Sequence, residues 1–173
     1  MEKENRAIVR GQSCDNSMNK ERESMKTRLA NYIDLNREID NQIERLERMH
    51  DRAQLPSGPN LSGMPKSSNA VTDRVGNAVT KMLALEEEIN HLVELRDSEH
   101  SSIERLVKKL RKADEKAVIR MRYLDIEDWD EVQFMLFGNR QDFNDNYDNY
   151  KQMMYRLHSS AITHLAIIQR SMT

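Results

Sequence analysis

Val118-Ile119-Arg120-Met121-Arg122-Tyr123-Leu124, then Trp129-Asp130-Glu131-Val132, then Tyr155-Arg156-Leu157-His158-Ser159-Ser160-Ala161 decide how this chain is read. The apolar positions across residues 113–165 fit three helices joined by polar turns, with Trp129 opening the middle helix and Tyr155 inside the last. Ala117, Val118, Met121 and Leu124 share a face behind Asp114, a candidate N-cap, so Arg120 and Arg122 are expected to point outward. Asp128 is a second cap candidate. Glu131, three residues on, completes an acidic capping box, and Trp129, Val132, Met135 and Leu136 supply the apolar face. Gly138 is expected to end that helix, and helical spacing resumes from Tyr150 to about Arg170 with Met153, Met154, Leu157, Ala161, Leu165 and Ile168 apolar.

Upstream, the pattern changes to long seams. Residues 1–19 mix charges with Gly11, Ser13, Asn16 and Asn19 without an apolar period, and are expected to be a disordered tail. Residues 20–53 place Met25, Leu29, Tyr32, Asn36, Ile39, Ile43 and Leu46 at alternating spacings of three and four, the seam of a coiled-coil helix. Asn36 either sets register and partner number as a buried amide or is merely half exposed. Residues 54–70 hold all three prolines and two of the five glycines, a breaker-rich connection. Residues 71–112 form a second long amphipathic helix along Val75, Ala78, Met82, Leu85, Ile89, Leu92, Ile103, Leu106 and Leu110. Arg96 and Glu99 interrupt it, and are read either as pairing across the seam or, preferably, as the place where the helix leaves its partner.

The fold expected is therefore all-α: two long helices forming a helical or coiled-coil arm, followed over residues 113–173 by a helix-turn-helix-like domain with an enlarged turn. The first seam (Leu29, Tyr32, Asn36, Ile39, Ile43, Leu46) is the candidate oligomer surface, with a homodimer expected. The first helix could also fold back on the second within one chain.

Composition supports long exposed helices. Apolar residues make up 38%, aromatics 5% and charged residues 32% of the 173 residues, with a net charge of −2. Any attraction to phosphate must then be local. Residues 105–122 carry eight basic side chains (Arg105, Lys108, Lys109, Arg111, Lys112, Lys116, Arg120, Arg122) against Asp114 and Glu115, whereas residues 124–150 carry eight carboxylates against Arg140 alone. Cys14 is the only cysteine, so neither an internal disulfide nor a multi-cysteine metal site can form. The polar opening residues and the lack of a long apolar run lead us to expect no signal peptide, no membrane span and a cytoplasmic location.

Little in the sequence points to catalysis. There is no glycine-rich phosphate loop, and the five histidines show no zinc-ligand spacing. The run Asp142-Phe143-Asn144-Asp145-Asn146-Tyr147-Asp148 has oxygen ligands at alternate positions. It places Tyr147 where a calcium loop needs glycine and Met153 where it needs the closing carboxylate. No enzyme, cofactor or metal is expected. The last helix does offer Lys151, Gln152, Tyr155, Arg156, His158 and Ser159, side-chain types that touch phosphates and base edges; the plainer reading is an ordinary polar helix face.

Taken together, the elements quoted at the outset resemble region 4 of bacterial sigma factors. They more closely resemble the small sigma-like transcriptional regulators of phages and mobile elements of Gram-positive bacteria, including RinA-type late-gene activators. The segment Leu55-Pro56-Ser57-Gly58-Pro59-Asn60-Leu61-Ser62-Gly63-Met64-Pro65, followed by Val71-Thr72-Asp73, is similar to one that many of those proteins carry ahead of their second helix. The resemblance covers residues 55–165. It implies a DNA-binding transcriptional regulator in the cytoplasm of a bacterial host, acting on double-stranded promoter DNA as an oligomer and contacting RNA polymerase or another protein. Its last helix would enter the major groove with Lys151, Gln152, Tyr155 and Arg156. Lys108, Lys109, Arg111, Lys112, Lys116, Arg120 and Arg122 would hold phosphates. The chain departs from the pattern at Gln133, where a small residue is usual, at Phe137, near the usual glycine, and in about ten extra residues between Gly138 and the last helix. Seven of the twelve residues 139–150 are Asn or Asp. The alternative is a protein-interaction module of the same ancestry, without sequence-specific DNA contact.

Overall fold

A computed structural model describes residues 2–54 and 74–172, with side chains for residues 17–54 and 76–172. The proline-rich connection and its family-like segment lie outside the described residues. Within them the chain is all-helical: α1 (Glu2–Gln54), α2 (Arg74–Lys109), α3 (Ala113–Ile119), a π-helical segment (Arg120–Leu124), α4 (Trp129–Phe137) and α5 (Tyr147–Arg170). Among the described residues no helix is long and apolar enough to cross a membrane.

Helix α1 begins at Glu2 rather than near Lys20, where the apolar period starts. A helix needs only permissive residues to propagate, and before Pro56 the chain has one glycine and no proline. The seam read from periodicity fixes which face is buried, and it says little about where the backbone stops being helical.

The chain divides into two compact units: Met1–Asp34 with Ser98–Thr173, and Leu35–Asp97. In the second, Ile39, Met82, Leu85 and Ile89 are buried. His50 lies 3.7 Å from Glu86. The buried positions are those at which the two seams were read. Asn36 and Leu46 are half-buried, and Ile43 is exposed.

The first unit has two apolar clusters. Met25, Leu29, Tyr32 and Ile33 of α1 meet Ile103, Leu106, Val107 and Leu110 of α2, together with Ile119, Tyr123 and Ala161, Ile162, Leu165 and Ala166 of α5. Arg28 ties the same helices together, donating to the Glu99 carboxylate, to Ser102 and to Gln169. Glu99 therefore continues the contact between helices instead of ending it, which corrects the preferred reading of that position. A carboxylate at a seam can be retained when an arginine reaches it with two parallel hydrogen bonds.

The second cluster gathers Val118, Val132, Phe137, Phe143, Tyr150 and Met154, with Met121, Trp129, Leu136 and Leu157 against it. Helix α3 and the π-helical segment serve both clusters. The wider turn, closed by Asp125 N–H to Arg120 C=O at 2.9 Å, shifts the phase of the helix. Ile119 and Tyr123 face one cluster and Val118 and Met121 the other.

Helix starts differ in quality. Asp128 caps α4 as expected, its carboxylate accepting from the N–H groups of Asp130 and Glu131, both at 2.9 Å. Asp114 does not cap α3. The N-cap residue is Lys112, without a side-chain bond, and Asp114 and Glu115 sit in the first turn, where negative charge offsets the helix dipole.

Candidate functional site

The site is built on the N-terminal half of α5, and Trp129 sets how that helix is seated. Tyr155 meets the indole edge-on at 5.4 Å and His158 at 5.0 Å, and the Arg122 guanidinium lies 5.0 Å from the ring centroid. Arg122 also donates to the Glu127 carbonyl at 2.7 Å. His158 shares a 2.9 Å hydrogen bond with the Tyr123 hydroxyl. Burial, with the nearby charges of Lys26 and Arg122, pushes the His158 imidazole down to about 4, so it is neutral at physiological pH. Burial likewise pushes the Tyr123 phenol up.

This arrangement sorts the six residues read as base-contacting. Gln152, Tyr155 and Arg156 are exposed. Lys151 is at the surface but leans on Asp130, 3.5 Å away, and over the Tyr147 ring. His158 is packed as described, and Ser159 is half-buried, accepting a hydrogen bond from Arg22 at 3.0 Å. The last two therefore hold α5 in place rather than extend its outward face.

The seven residues read as phosphate-contacting are also divided. Lys108, Lys109, Arg111 and Lys112 are exposed around the α2–α3 junction, and Lys116 is half-buried. Arg120 makes two bonds to Glu104, at 2.6 and 3.1 Å. That pair, partly opposed by burial, holds the Glu104 carboxyl below the usual carboxylate range and raises the guanidinium. Arg122 is packed on Trp129. The outward orientation expected for both arginines is thus replaced by contacts within the fold.

Below the basic junction lies a group that sequence reasoning missed. Glu115 is 1% exposed and accepts from Ser160 at 2.8 Å, with His164 at 2.8 Å and Lys112 at 3.2 Å. Burial raises this carboxyl, but the bonds from His164, Ser160 and Lys112 outweigh it and leave it below the ordinary range. Beside it Lys109, Arg111 and Lys112 line, with Leu110, Ile167 and Ile168, a cavity of about 510 Å³. The spacing of Ser160 and His164, one helical turn apart, was the available signal; what lay opposite them was not.

The residues between α4 and α5 form a packed segment rather than a slack turn. Phe143 is buried against Phe134, Tyr147 and Tyr150, and Tyr150 stacks on Phe137 at 5.1 Å. Arg140 lies over Phe137 and Tyr150. The Tyr150 hydroxyl donates to Asp142 and the Tyr147 hydroxyl to Asp130. Gln133, fully buried, donates from Nε2 to the Tyr147 carbonyl at 2.9 Å, while its Oε1 has no hydrogen-bond partner among the described residues. The departure from a small residue at 133 thus joins α4 to the start of α5.

No family model, curated protein or solved structure matches the chain.

Proposed function

We propose that the chain is a sigma-region-4-like transcriptional regulator of a phage or mobile element. In this reading long paired helices precede a helix-turn-helix-like unit of α3, α4 and α5, and the outward N-terminal face of α5 reads promoter DNA. The observation that carries it is the seating of α5. Met154, Ala161 and Ile162 are buried and Trp129 braces Tyr155 and His158, so Gln152, Tyr155 and Arg156 are left together on the solvent side. A helix held at a fixed roll with polar and cationic side chains outward is what major-groove reading requires. The exposed Lys108, Lys109, Arg111 and Lys112 supply phosphate contacts, and Lys151 joins the interface by exchanging Asp130 for DNA. RNA polymerase contact and dimer formation belong to the same proposal.

Selection of bound duplexes from random DNA tests it, and an enriched sequence motif is the expected result. Retention on duplex DNA should fall steeply with salt, as counterion release demands. Absence of both leaves the second reading, a protein-interaction module. The observation favouring that alternative is the concentration of carboxylates on α4 and residues 139–150.

A further inference from the structure

We propose that the aromatic surface formed by Phe134 and Tyr147, backed by the buried Phe143, docks a lysine- or arginine-rich segment of a protein partner that also carries an apolar anchor. The proposal stands whether or not α5 reads DNA. Phe134 on α4 is 61% exposed and Tyr147, the first residue of α5, 36%. Scattered apolar residues on a surface are ordinary, but this ring is held in place. It meets Phe143 edge-on at 6.2 Å. Gly138 leaves room for it: a β-carbon there would lie 2.8 and 2.9 Å from the Phe134 ring and 2.6 Å from its carbonyl oxygen. At φ −59° any residue satisfies the backbone of position 138, so glycine contributes space and not conformational freedom. Aromatic side chains, phenylalanine among them, are enriched at protein interfaces.

Charge selects the occupant. Glu131 of α4 and Asp145 and Asp148 beyond it are exposed on the segments that carry these rings, while Asp130 and Asp142 already accept from the Tyr147 and Tyr150 hydroxyls. The cations there are already engaged, Arg140 over Phe137 and Tyr150, and Lys151 beside Asp130 and Tyr147. Exposed carboxylates on the same segments as exposed aromatic rings favour a cation and repel phosphate. The surface is therefore suited to a basic protein segment and unsuited to nucleic acid.

The test uses the full chain and two fluorescent helix-forming peptides of equal length, one built from lysine and leucine and the other from glutamate and leucine. Fluorescence anisotropy should show the basic peptide binding and the acidic one not. Phe134→Ala, verified as folded by circular dichroism, should weaken binding about tenfold, the scale of a hot-spot truncation. Asp145→Asn combined with Asp148→Asn should weaken it severalfold while leaving Phe134 in place. Equal binding of both peptides, or an affinity unaffected by Phe134→Ala, would overturn the proposal. So would self-association that Phe134→Ala abolishes, which would assign the surface to a second copy of the chain. Retention on duplex DNA, measured on the same variants, reports separately on the DNA reading.

Discussion

At the scale of single residues, His158 and Ile126 illustrate how one side chain can set the stability of this domain. His158 has a folded-state value of about 4 against 6.5 for a free imidazole, because charging it would place a cation in a buried site near Lys26 and Arg122. Between those values the unfolded chain binds the proton and the folded chain does not. Stability is therefore fully present above about pH 6.5 and declines as pH falls toward 4, by on the order of 3 kcal/mol. Urea unfolding at pH 7 and pH 4.5 should show that decline, and His158→Gln should flatten it; a slope unchanged in the variant would contradict the assignment. Glu115 adds acid sensitivity at lower pH, since its depressed carboxyl loses its contribution only as pH falls through and below the ordinary carboxylate range. Ile126 holds φ at 61°, a left-handed conformation that costs a β-branched residue about 1–2 kcal/mol. It is also exposed. Ile126→Asn should relieve most of that strain and raise the thermal midpoint, an increase of about 1 kcal/mol in stability. A lower midpoint would mean that the side chain contributes more than its backbone costs.

At the scale of elements, the helices were legible where one local signal sufficed and illegible where a distant contact decided. Asp128 was readable as the cap of α4, and it is worth testing because α4 has only nine residues over which to recover a lost end. Asp128→Ala should cost about 1 kcal/mol by chemical denaturation, with an effect near zero counting against the cap. The faces of α3 and α5 were readable at Val118, Met154, Ala161 and Leu165, all of which are fully buried. The π-helical turn was not, because its residues pack against two clusters and neither cluster is visible in a local window. For the same reason Arg120 and Arg122 read as outward cations. Glu104 lies sixteen residues away from the first, and the second turns onto an indole that spacing alone cannot place. Residues 139–150 read as a long polar turn because seven of the twelve are Asn or Asp, yet Phe143 and Tyr150 supply enough buried ring surface to order the segment.

At the scale of the whole molecule, the seams identified the apolar faces but not their partner. Leu29, Tyr32 and Ile39 are buried within a single chain, whereas Ile43 stays exposed, so the surface left for a second copy is smaller than the full seam implied. Of the residues read as base-contacting, Gln152, Tyr155 and Arg156 are exposed, whereas His158 and Ser159 are engaged within the fold by Trp129, Tyr123 and Arg22. The functional account consequently rests on a narrow outward face. Arg156 is its most decisive member, an exposed guanidinium on the helix that Trp129 braces. The most direct measurement is a titration, at fixed salt, of the full chain and its Arg156→Ala variant against a duplex enriched by selection. The variant is expected to lose about 1–3 kcal/mol of binding and to relax preference at one base position. Equal affinity and equal preference in the two proteins would contradict it.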